Sequence, residues 1–266
     1  MHMDLEKICS EVRQLAIKTG DFIYNERENL SFDSIVAKGA NDFVTHVDKG
    51  AEERIISGLQ KIFPEAGFIA EEDTSAVKKE KYNWVIDPLD GTTNFIHSQP
   101  PYAVSIALMD KKEVILGVVY EITMQECFYA WKGSKAYLNG HEIKTSKIKK
   151  VKDGLIATGF PYNDFIKIKS FMASLEYLFN HSHGVRRLGS AATDMVYVAC
   201  GRFEAFYEYG LSPWDVAAAC LILQQAGGKV GDFKGGNDYI FGEEIIATNG
   251  YVFEEFSEII RKYMLN

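Results

Sequence analysis

The sequence has few of the features that mark secreted, membrane or nucleic-acid-binding proteins. Its four cysteines are scattered and form no Cys-x-x-Cys pair, which favours reduced thiols in a cytoplasmic protein over a disulfide framework. No apolar run approaches the ~20 residues that span a bilayer, and the N-terminus has no apolar signal-peptide core, so no membrane association is expected. The net charge is −8 and no basic face is evident, so nucleic acid is not expected as a partner.

Length and composition are those of an ordinary globular protein. The 266 residues suffice for one large domain or two tightly packed halves, and 47% hydrophobic with 25% charged residues is typical of a well-formed core. Five lysines lie in residues 144–152, between a strand-rich part and a part where strands and helices alternate. We therefore expect an N-terminal α+β half in residues 1–150 and a C-terminal α/β half in residues 151–266.

The most informative stretch is Trp84–Phe95. It begins as a short apolar run typical of a buried strand, is interrupted by a proline, and continues after a glycine with residues that can begin a helix. Asp87 and Asp90 would then lie at a strand end beside helix N–H groups, which favour phosphate. Carboxylates repel phosphate unless cations lie between them, and oxygens such as those of Asp87, Asp90 and the Leu89 carbonyl are ligands for Mg²⁺. The alternative is a turn whose aspartates serve only as caps.

An apolar stripe at helical spacing predicts a helix before this stretch, and the stripe contains one carboxylate. Its apolar members are Val44, Ala51, Ile55, Leu59 and Ile62. Asp48 falls inside the stripe and needs a partner, because an unpaired buried carboxylate is costly. A structural ion pair with a lysine is the alternative to a role in a site. The polar residues 31–41 before this helix are predicted to form a loop.

The second half contains three further candidate residues. Ser190 is a good N-cap for a predicted helix, so a second helix N-terminus is available to polar groups. Ser212 and Asp215 have the spacing of a capping box, and that role alone would account for Asp215. Glu208 lies seven residues before Asp215 at the end of a predicted strand, where a surface glutamate is the alternative to a site residue.

The segment Asp87–Phe95 resembles the signature of the inositol monophosphatase family of Mg²⁺-dependent phosphatases. The resemblance extends from Lys38 to Gly228 in five segments that occur in the same order. The haloacid dehalogenase phosphatases are a rival, with the signature Asp-x-Asp-Gly-Thr. Their spacing is one residue shorter than the spacing found here, and they account for only one of the five segments.

The resemblance implies a five-layer α/β/α/β/α sandwich of the inositol monophosphatase and fructose-1,6-bisphosphatase type, usually a homodimer, with the site between the two halves. It implies two or three Mg²⁺ ions per site, held by Glu71, Asp87, the Leu89 carbonyl, Asp90 and Asp215. Thr92, oriented by Asp48, would be catalytic and would align water for in-line attack on phosphorus. The implied substrate contacts are Glu71, Asp90, Gly91, Thr92, Gly189, Ser190, Ala191, Glu208 and Asp215.

The function implied by the resemblance is phosphoric monoester hydrolysis, with myo-inositol phosphate converted to myo-inositol and phosphate. Alternatives on the same scaffold are a broad sugar-phosphate phosphatase or one acting on fructose 1,6-bisphosphate, nucleotide 3′-phosphate, NADP or histidinol phosphate. A regulatory or scaffold protein that retains the metal site is the non-enzymatic alternative. The expected partner is a small-molecule phosphate ester.

Overall fold

The computed structural model describes residues 3–27, 36–39, 42–72, 77–161 and 165–265. Within these ranges the helices are α1 Leu5–Glu26, α2 His46–Ile62, α3 Thr92–Ile96, α4 Ile168–His181, α5 Ala191–Ala199, α6 Pro213–Gln225 and α7 Phe253–Met264. The strands are β1 Val36–Gly39, β2 Asp42–Val44, β3 Gly67–Ala70, β4 Tyr82–Asp90, β5 Ala103–Asp110, β6 Glu113–Glu121, β7 Glu126–Trp131, β8 Ala136–Leu138, β9 His141–Ile143, β10 Leu155–Thr158, β11 Gly184–Arg186, β12 Ala205–Tyr209, β13 Lys229–Gly231 and β14 Glu244–Thr248.

Two large sheets organise the chain. Strands β3 to β9 form a seven-stranded sheet in sequence order, in which only the pair β3 and β4 is parallel. The second sheet has five strands in the order β11-β10-β12-β14-β13. A separate two-stranded ribbon joins β1 to β2.

The helices lie in three layers around the two sheets. Helices α1 and α2 pack on the outer face of the seven-stranded sheet, and α5 and α6 fill the space between the sheets. Helices α4 and α7 cover the outer face of the five-stranded sheet. Each interface is an apolar core, so the layers are held by burial of both faces of each sheet. The predicted five-layer α/β/α/β/α architecture is confirmed.

The predicted strand end at the proline of the signature is wrong. Strand β4 continues through Pro88 to Asp90, and its register against β5 shifts between Asp87 and Asp90. Asp87 pairs with Ser105 and Asp90 pairs with Ala103. The chain therefore advances three residues on β4 while it advances only two on β5. This is a β-bulge, and a bulge tolerates proline because the extra residue makes no ladder hydrogen bond.

Other sequence predictions have mixed outcomes. A loop was expected over residues 31–41, but residues 36–39 of this stretch form the strand β1. Residues 31–35 and 40–41 and the side chain of Lys38 lie outside the described residues. The lysine-rich connector leads into a short 3₁₀ turn at Val151–Asp153. It separates the strands of the two large sheets, but α5 and α6 share one core with both sheets, so a division at residue 150 stays a prediction. All four cysteines are free.

A membrane-spanning helix was not expected from the sequence. Across the described ranges, no helix combines the length and the apolar character needed to cross a bilayer.

The contact between β6 and α6 leaves no room for a side chain at Gly117. A Cβ there would lie 2.5 Å from the carbonyl oxygen of Ala218. We therefore expect Gly117→Ala to lower the free energy of unfolding by about 1–3 kcal/mol, measured by urea denaturation. Gly50→Ala on α2 is the control, because its nearest neighbour, Phe22, lies 3.4 Å away and alanine has the higher helix propensity. Equal effects of the two changes would contradict this packing.

Candidate active site

The β4 bulge fixes the acids of the signature. Asp87 is 2% exposed and accepts a hydrogen bond from the Leu89 N–H to Oδ1 over 2.9 Å, which closes the turn. Asp90 is buried, and its Oδ2 accepts from the Ser190 hydroxyl at 2.6 Å and from the Ala192 N–H at 2.8 Å. Ser190 is the N-cap of α5, as predicted. The end of β4 is therefore tied directly to the start of α5.

Asp48 lies at the start of α2 and is 1% exposed. Its Oδ2 accepts from the Thr45 N–H at 2.8 Å and from the Thr45 hydroxyl at 2.6 Å, while Oδ1 lies 3.0 Å from the Thr92 hydroxyl. Among the described side chains the partners of Asp48 are thus two threonines and not a lysine, so the alternative of a structural ion pair is wrong there. Burial raises the pKa of Asp48, and the hydrogen bonds from Thr45 and Thr92 oppose that rise.

The Thr92 hydroxyl lies between two acceptors. It is 3.0 Å from Asp48 Oδ1 and 3.0 Å from the Leu89 carbonyl oxygen. A hydroxyl has one proton and two lone pairs, so a Thr92 that donates to either acceptor keeps a lone pair for a third group. This geometry suits a hydroxyl that accepts a proton from a neighbouring water.

Asp215 is the third residue of α6, and its Oδ2 accepts from the Ser212 N–H at 2.6 Å. The predicted capping role is confirmed, but it does not account for the whole environment. The Asp215 carboxyl lies within hydrogen-bonding reach of Asp87 and in the field of Asp90 and Glu71. Asp215 therefore serves the helix start and also belongs to a cluster of acids.

Glu71 completes this cluster. It follows β3, and its backbone N–H donates to the Ile86 carbonyl of β4, which brings the glutamate beside Asp87. The two side-chain carboxyls lie within hydrogen-bonding reach of each other. We refer below to Glu71, Asp87, Asp90 and Asp215 as the carboxyl cluster.

Burial and mutual repulsion set the electrostatics of the carboxyl cluster. The pKa values of Asp87 and Asp215 are raised well above the usual range, first by burial and then by the neighbouring acids. Burial raises the pKa of Asp90 to about 6, and the hydrogen bonds from Ser190 and the α5 backbone keep it from rising further. The ionised cluster is unfavourable unless protons or cations balance it.

The donors of the carboxyl cluster fit a hard divalent cation, because carboxylate and carbonyl oxygens are what Mg²⁺ binds. In the part of the chain that the structure describes, no three Asp, Glu, His or Cys side chains already form a metal shell. The case for a cation here therefore rests on the type of donor atoms and on the negative charge of the carboxyl cluster. The Leu89 carbonyl adds a fifth oxygen-bearing group at the same bulge.

Glu208 lies inside β12, is 6% exposed, and has its carboxylate against the Cα of Gly159. The alternative of a surface glutamate is wrong. Burial raises the pKa of Glu208 well above the usual range, with Asp215 and Asp90 adding to the rise and Arg187 opposing it. Glu208 therefore faces the carboxyl cluster from the five-stranded sheet.

Two residues of this region are missing from the sequence-based site. Asp194 on α5 is 1% exposed, and Arg187 lies in the field of Asp90, Asp194 and Glu208. Asp194 carries the same signal as Asp48, since it is a carboxylate within an otherwise apolar helix. Arg187 has no such signal, because its contacts form only in the folded chain.

Asn94 and two glycines join the signature to the chain before α5. The Asn94 amide donates to the carbonyl oxygens of Pro101 and Leu188, each over 2.8 Å. Gly91 and Gly189 have φ values of +93° and +94°, a region that favours glycine, and a Cβ on Gly91 would lie 3.2 Å from the Gly189 carbonyl oxygen. The two loops therefore approach backbone to backbone.

The structure thus brings all the predicted site residues to one region, on the facing ends of β4, β12 and the helices α2, α5 and α6. They are Asp48, Glu71, Asp87, Leu89, Asp90, Gly91, Thr92, Gly189, Ser190, Ala191, Glu208 and Asp215. Their individual chemical roles stay predictions.

Comparison with known proteins gives a consistent result along the whole chain. The inositol monophosphatase family model matches residues 4–265. The chain is 42% identical over 235 residues to the Nus factor SuhB of Escherichia coli strain K12, covering 88% of each chain. It is 37% identical over 254 residues to the inositol-1-monophosphatase of Mesorhizobium japonicum, covering 94% of each.

Solved structures agree with these relatives. The extragenic suppressor protein suhB from Bartonella henselae superposes with a TM-score of 0.89 at 34% identity, covering 98% of this chain and 99% of that one. The inositol monophosphatase from Anabaena gives a TM-score of 0.87 at 31% identity, covering 98% of both chains. The haloacid dehalogenase alternative is therefore wrong. A match that runs from residue 4 to residue 265 and keeps the same fold throughout means that the chain belongs to the inositol monophosphatase family.

Proposed function

We propose that this protein is a Mg²⁺-dependent phosphomonoester hydrolase acting on polyol monophosphates of the inositol 1-phosphate type. The observation that carries the proposal is the carboxyl cluster, which lies beside the hydrogen-bonded pair Thr92 and Asp48. Membership of the inositol monophosphatase family and a relative named inositol-1-monophosphatase support it. A homodimer in the cytoplasm is part of the proposal, on the family resemblance and the four free cysteines.

The residues that would hold Mg²⁺ are the carboxyl cluster and the Leu89 carbonyl. Two or three bound ions would neutralise the acids, polarise the phosphate ester and make a bound water more acidic. The backbone N–H groups of Gly91 and Thr92 would donate to phosphate oxygens.

Thr92 and Asp48 would act as one unit on the attacking water. The Thr92 hydroxyl would pass its proton to Asp48 as it accepts one from the attacking water. The same hydrogen bonds would orient the water so that a lone pair of its oxygen points at phosphorus. Thr45 holds the second oxygen of Asp48 through two hydrogen bonds, so the carboxylate cannot rotate away. A free nucleophilic side chain is not needed for this reaction.

The leaving-group side favours an uncharged, hydroxyl-bearing alcohol. Glu208 and Asp194 are buried there beside Asp90, and Arg187 lies in the field of all three. Carboxylates accept hydrogen bonds from hydroxyl groups but repel a second phosphate. This charge pattern supports polyol monophosphates over fructose 1,6-bisphosphate and NADP, and over any nucleotide 3′-phosphate that carries a second phosphate.

Phosphate release from a panel of esters tests this proposal. With Mg²⁺ present, kcat/KM should be highest for myo-inositol 1-phosphate and lower for fructose 1,6-bisphosphate, a nucleotide 3′-phosphate, NADP and histidinol phosphate.

Asp90→Asn should reduce turnover by about 100-fold or more, because it removes one charge from the proposed ion site, and added Mg²⁺ should restore part of the lost turnover. Hydrolysis without Mg²⁺, or near-normal turnover of Asp90→Asn at low Mg²⁺, would contradict the proposal.

A double-mutant cycle tests the unit of Thr92 and Asp48. Thr92→Ala and Asp48→Asn should each reduce kcat by about 10²–10⁴-fold, and the double variant should be little worse than either alone. Thr93→Ala is the matched control, since the side-chain hydroxyl bonds to Asp48 come from Thr45 and Thr92. If the two losses multiply fully, Asp48 and Thr92 do not share a proton path.

The name Nus factor, borne by relatives with 39% and 42% identity, supports a second candidate. This would be a regulatory protein whose role does not need turnover, and the expected absence of a nucleic-acid partner therefore stays a prediction. Expressing Asp90→Asn in cells that lack the protein separates the two candidates. Full rescue by a variant without measurable turnover supports regulation, whereas rescue only by the active protein supports hydrolysis.

A further inference from the structure

The amide of Asn94 joins three segments of the chain. Its nitrogen donates to the carbonyl oxygens of Pro101 and Leu188, each over 2.8 Å. A primary amide has two N–H donors, so both are used in these two bonds. Pro101 comes just before β5, and Leu188 comes just before α5. One side chain of the signature therefore holds main-chain groups beside the seven-stranded sheet and in the second half of the chain.

The chain before α5 has a flexible point between two anchors. Gly189 has a φ of +94°, and a glycine leaves the backbone freer to rotate than any other residue does. On one side of it, the Leu188 carbonyl accepts from Asn94. On the other side, the Ser190 hydroxyl donates to Asp90 Oδ2 over 2.6 Å. A segment held at one point can pivot about that point, whereas two anchors fix both its position and its direction.

The close approach of Asn94 itself requires a glycine at position 189. A Cβ on this residue would lie 3.0 Å from both the nitrogen and the oxygen of the Asn94 amide. The Gly189 carbonyl oxygen also lies 3.2 Å from the place that a Cβ on Gly91 would occupy. Asn94 therefore restores, through its bond to Leu188, the rigidity that a glycine at this close contact removes.

We propose that Asn94 is a positioning residue that holds residues 189–191 at a fixed distance from the phosphate-binding end of the signature. Residues 189–191 would then contact the alcohol part of a polyol phosphate while the signature holds its phosphate. The inference rests on the proposed function, because it assigns part of the selectivity of that same site. Both donors of Asn94 are used by main-chain carbonyls. Its effect therefore reaches the substrate through residues 189–191, and falls on binding of the alcohol rather than on attack at phosphorus.

The ratio of two substrates tests this role. In Asn94→Ala, the ratio of kcat/KM on myo-inositol 1-phosphate to kcat/KM on p-nitrophenyl phosphate should fall about fivefold to tenfold. The reason is that the aryl ester has no neighbouring hydroxyl groups for residues 189–191 to contact. The fall should come from a higher KM for the polyol ester, with kcat changed less than KM. Asn94→Ser, whose side chain has a single donor, should shift the ratio in the same direction.

Asn249→Ala is the matched control. Asn249 is 1% exposed, and its amide also donates twice, to Ser146 Oγ over 3.0 Å and to the Ile148 carbonyl over 2.8 Å. It follows β14 beside the start of β12, whereas Glu208 lies near the end of β12. This variant should lower the melting temperature, as Asn94→Ala should, and leave the ratio unchanged.

Amide hydrogen exchange reports on the segment without any catalysis. Peptides that cover residues 186–192 should exchange about fivefold to tenfold faster in Asn94→Ala than in the wild-type protein, and at the wild-type rate in Asn249→Ala. An unchanged ratio, an equal loss on both esters, the same change of ratio in the control, or unchanged exchange of residues 186–192 would each overturn the inference. Absence of hydrolysis of both esters by the wild-type protein would instead contradict the proposed function itself.

Discussion

The repulsion among the carboxyl cluster is the interaction on which the rest of this site depends. Four acids are held together at the β4 bulge, although burial raises the pKa values of Asp87 and Asp215 and the negative charges of Asp90 and Glu71 raise both further. The fold offsets part of this repulsion with helix N-termini. Asp48 and Asp215 are each the third residue of a helix and accept a backbone N–H there, and Asp90 accepts from the first turn of α5. Three helix starts therefore direct N–H groups and partial positive charge at one region.

Packing along the length of the helices and strands holds the acid-bearing ends of these elements in place. Helix α6 has every residue from 216 to 223 buried between the two sheets, and β6 approaches it so closely that only glycine fits at position 117. Because both faces of each sheet are covered, the acids at the element ends cannot separate without disturbing an apolar core. The layered packing therefore supplies the rigidity that a cluster of like charges needs. Hydrogen bonds between the two halves, from Ser190 to Asp90 and from Asn94 to the Leu188 carbonyl, fix how the halves are oriented at the site.

Local signals in the sequence predicted much of this arrangement. The apolar stripe around Asp48 predicted a buried carboxylate with a partner, and the caps at Ser190 and Asp215 followed from residue type and spacing. Proline was misread as the end of β4, because a bulge depends on the partner strand as well as on the proline. The three-residue strands β11 and β13 are too short for any periodic pattern. Asp194 carried the same local signal as Asp48 and was overlooked, whereas Arg187 was missed because it comes near the charges of Asp90, Asp194 and Glu208 only in the folded chain.

The most direct measurement is the protonation change that accompanies Mg²⁺ binding. Titration calorimetry near pH 6, in buffers of different ionisation enthalpy, reports how many protons leave the protein with each ion. Burial raises the pKa of Asp90 to about 6 and shifts those of Asp87 and Asp215 upward as well, so a cation that binds the ionised carboxylates should displace protons from the cluster near this pH. The account predicts net proton release, an apparent affinity that increases as the pH rises, and smaller release in Asp215→Asn. Binding heats that do not depend on the buffer, or no Mg²⁺ binding at all, would contradict it.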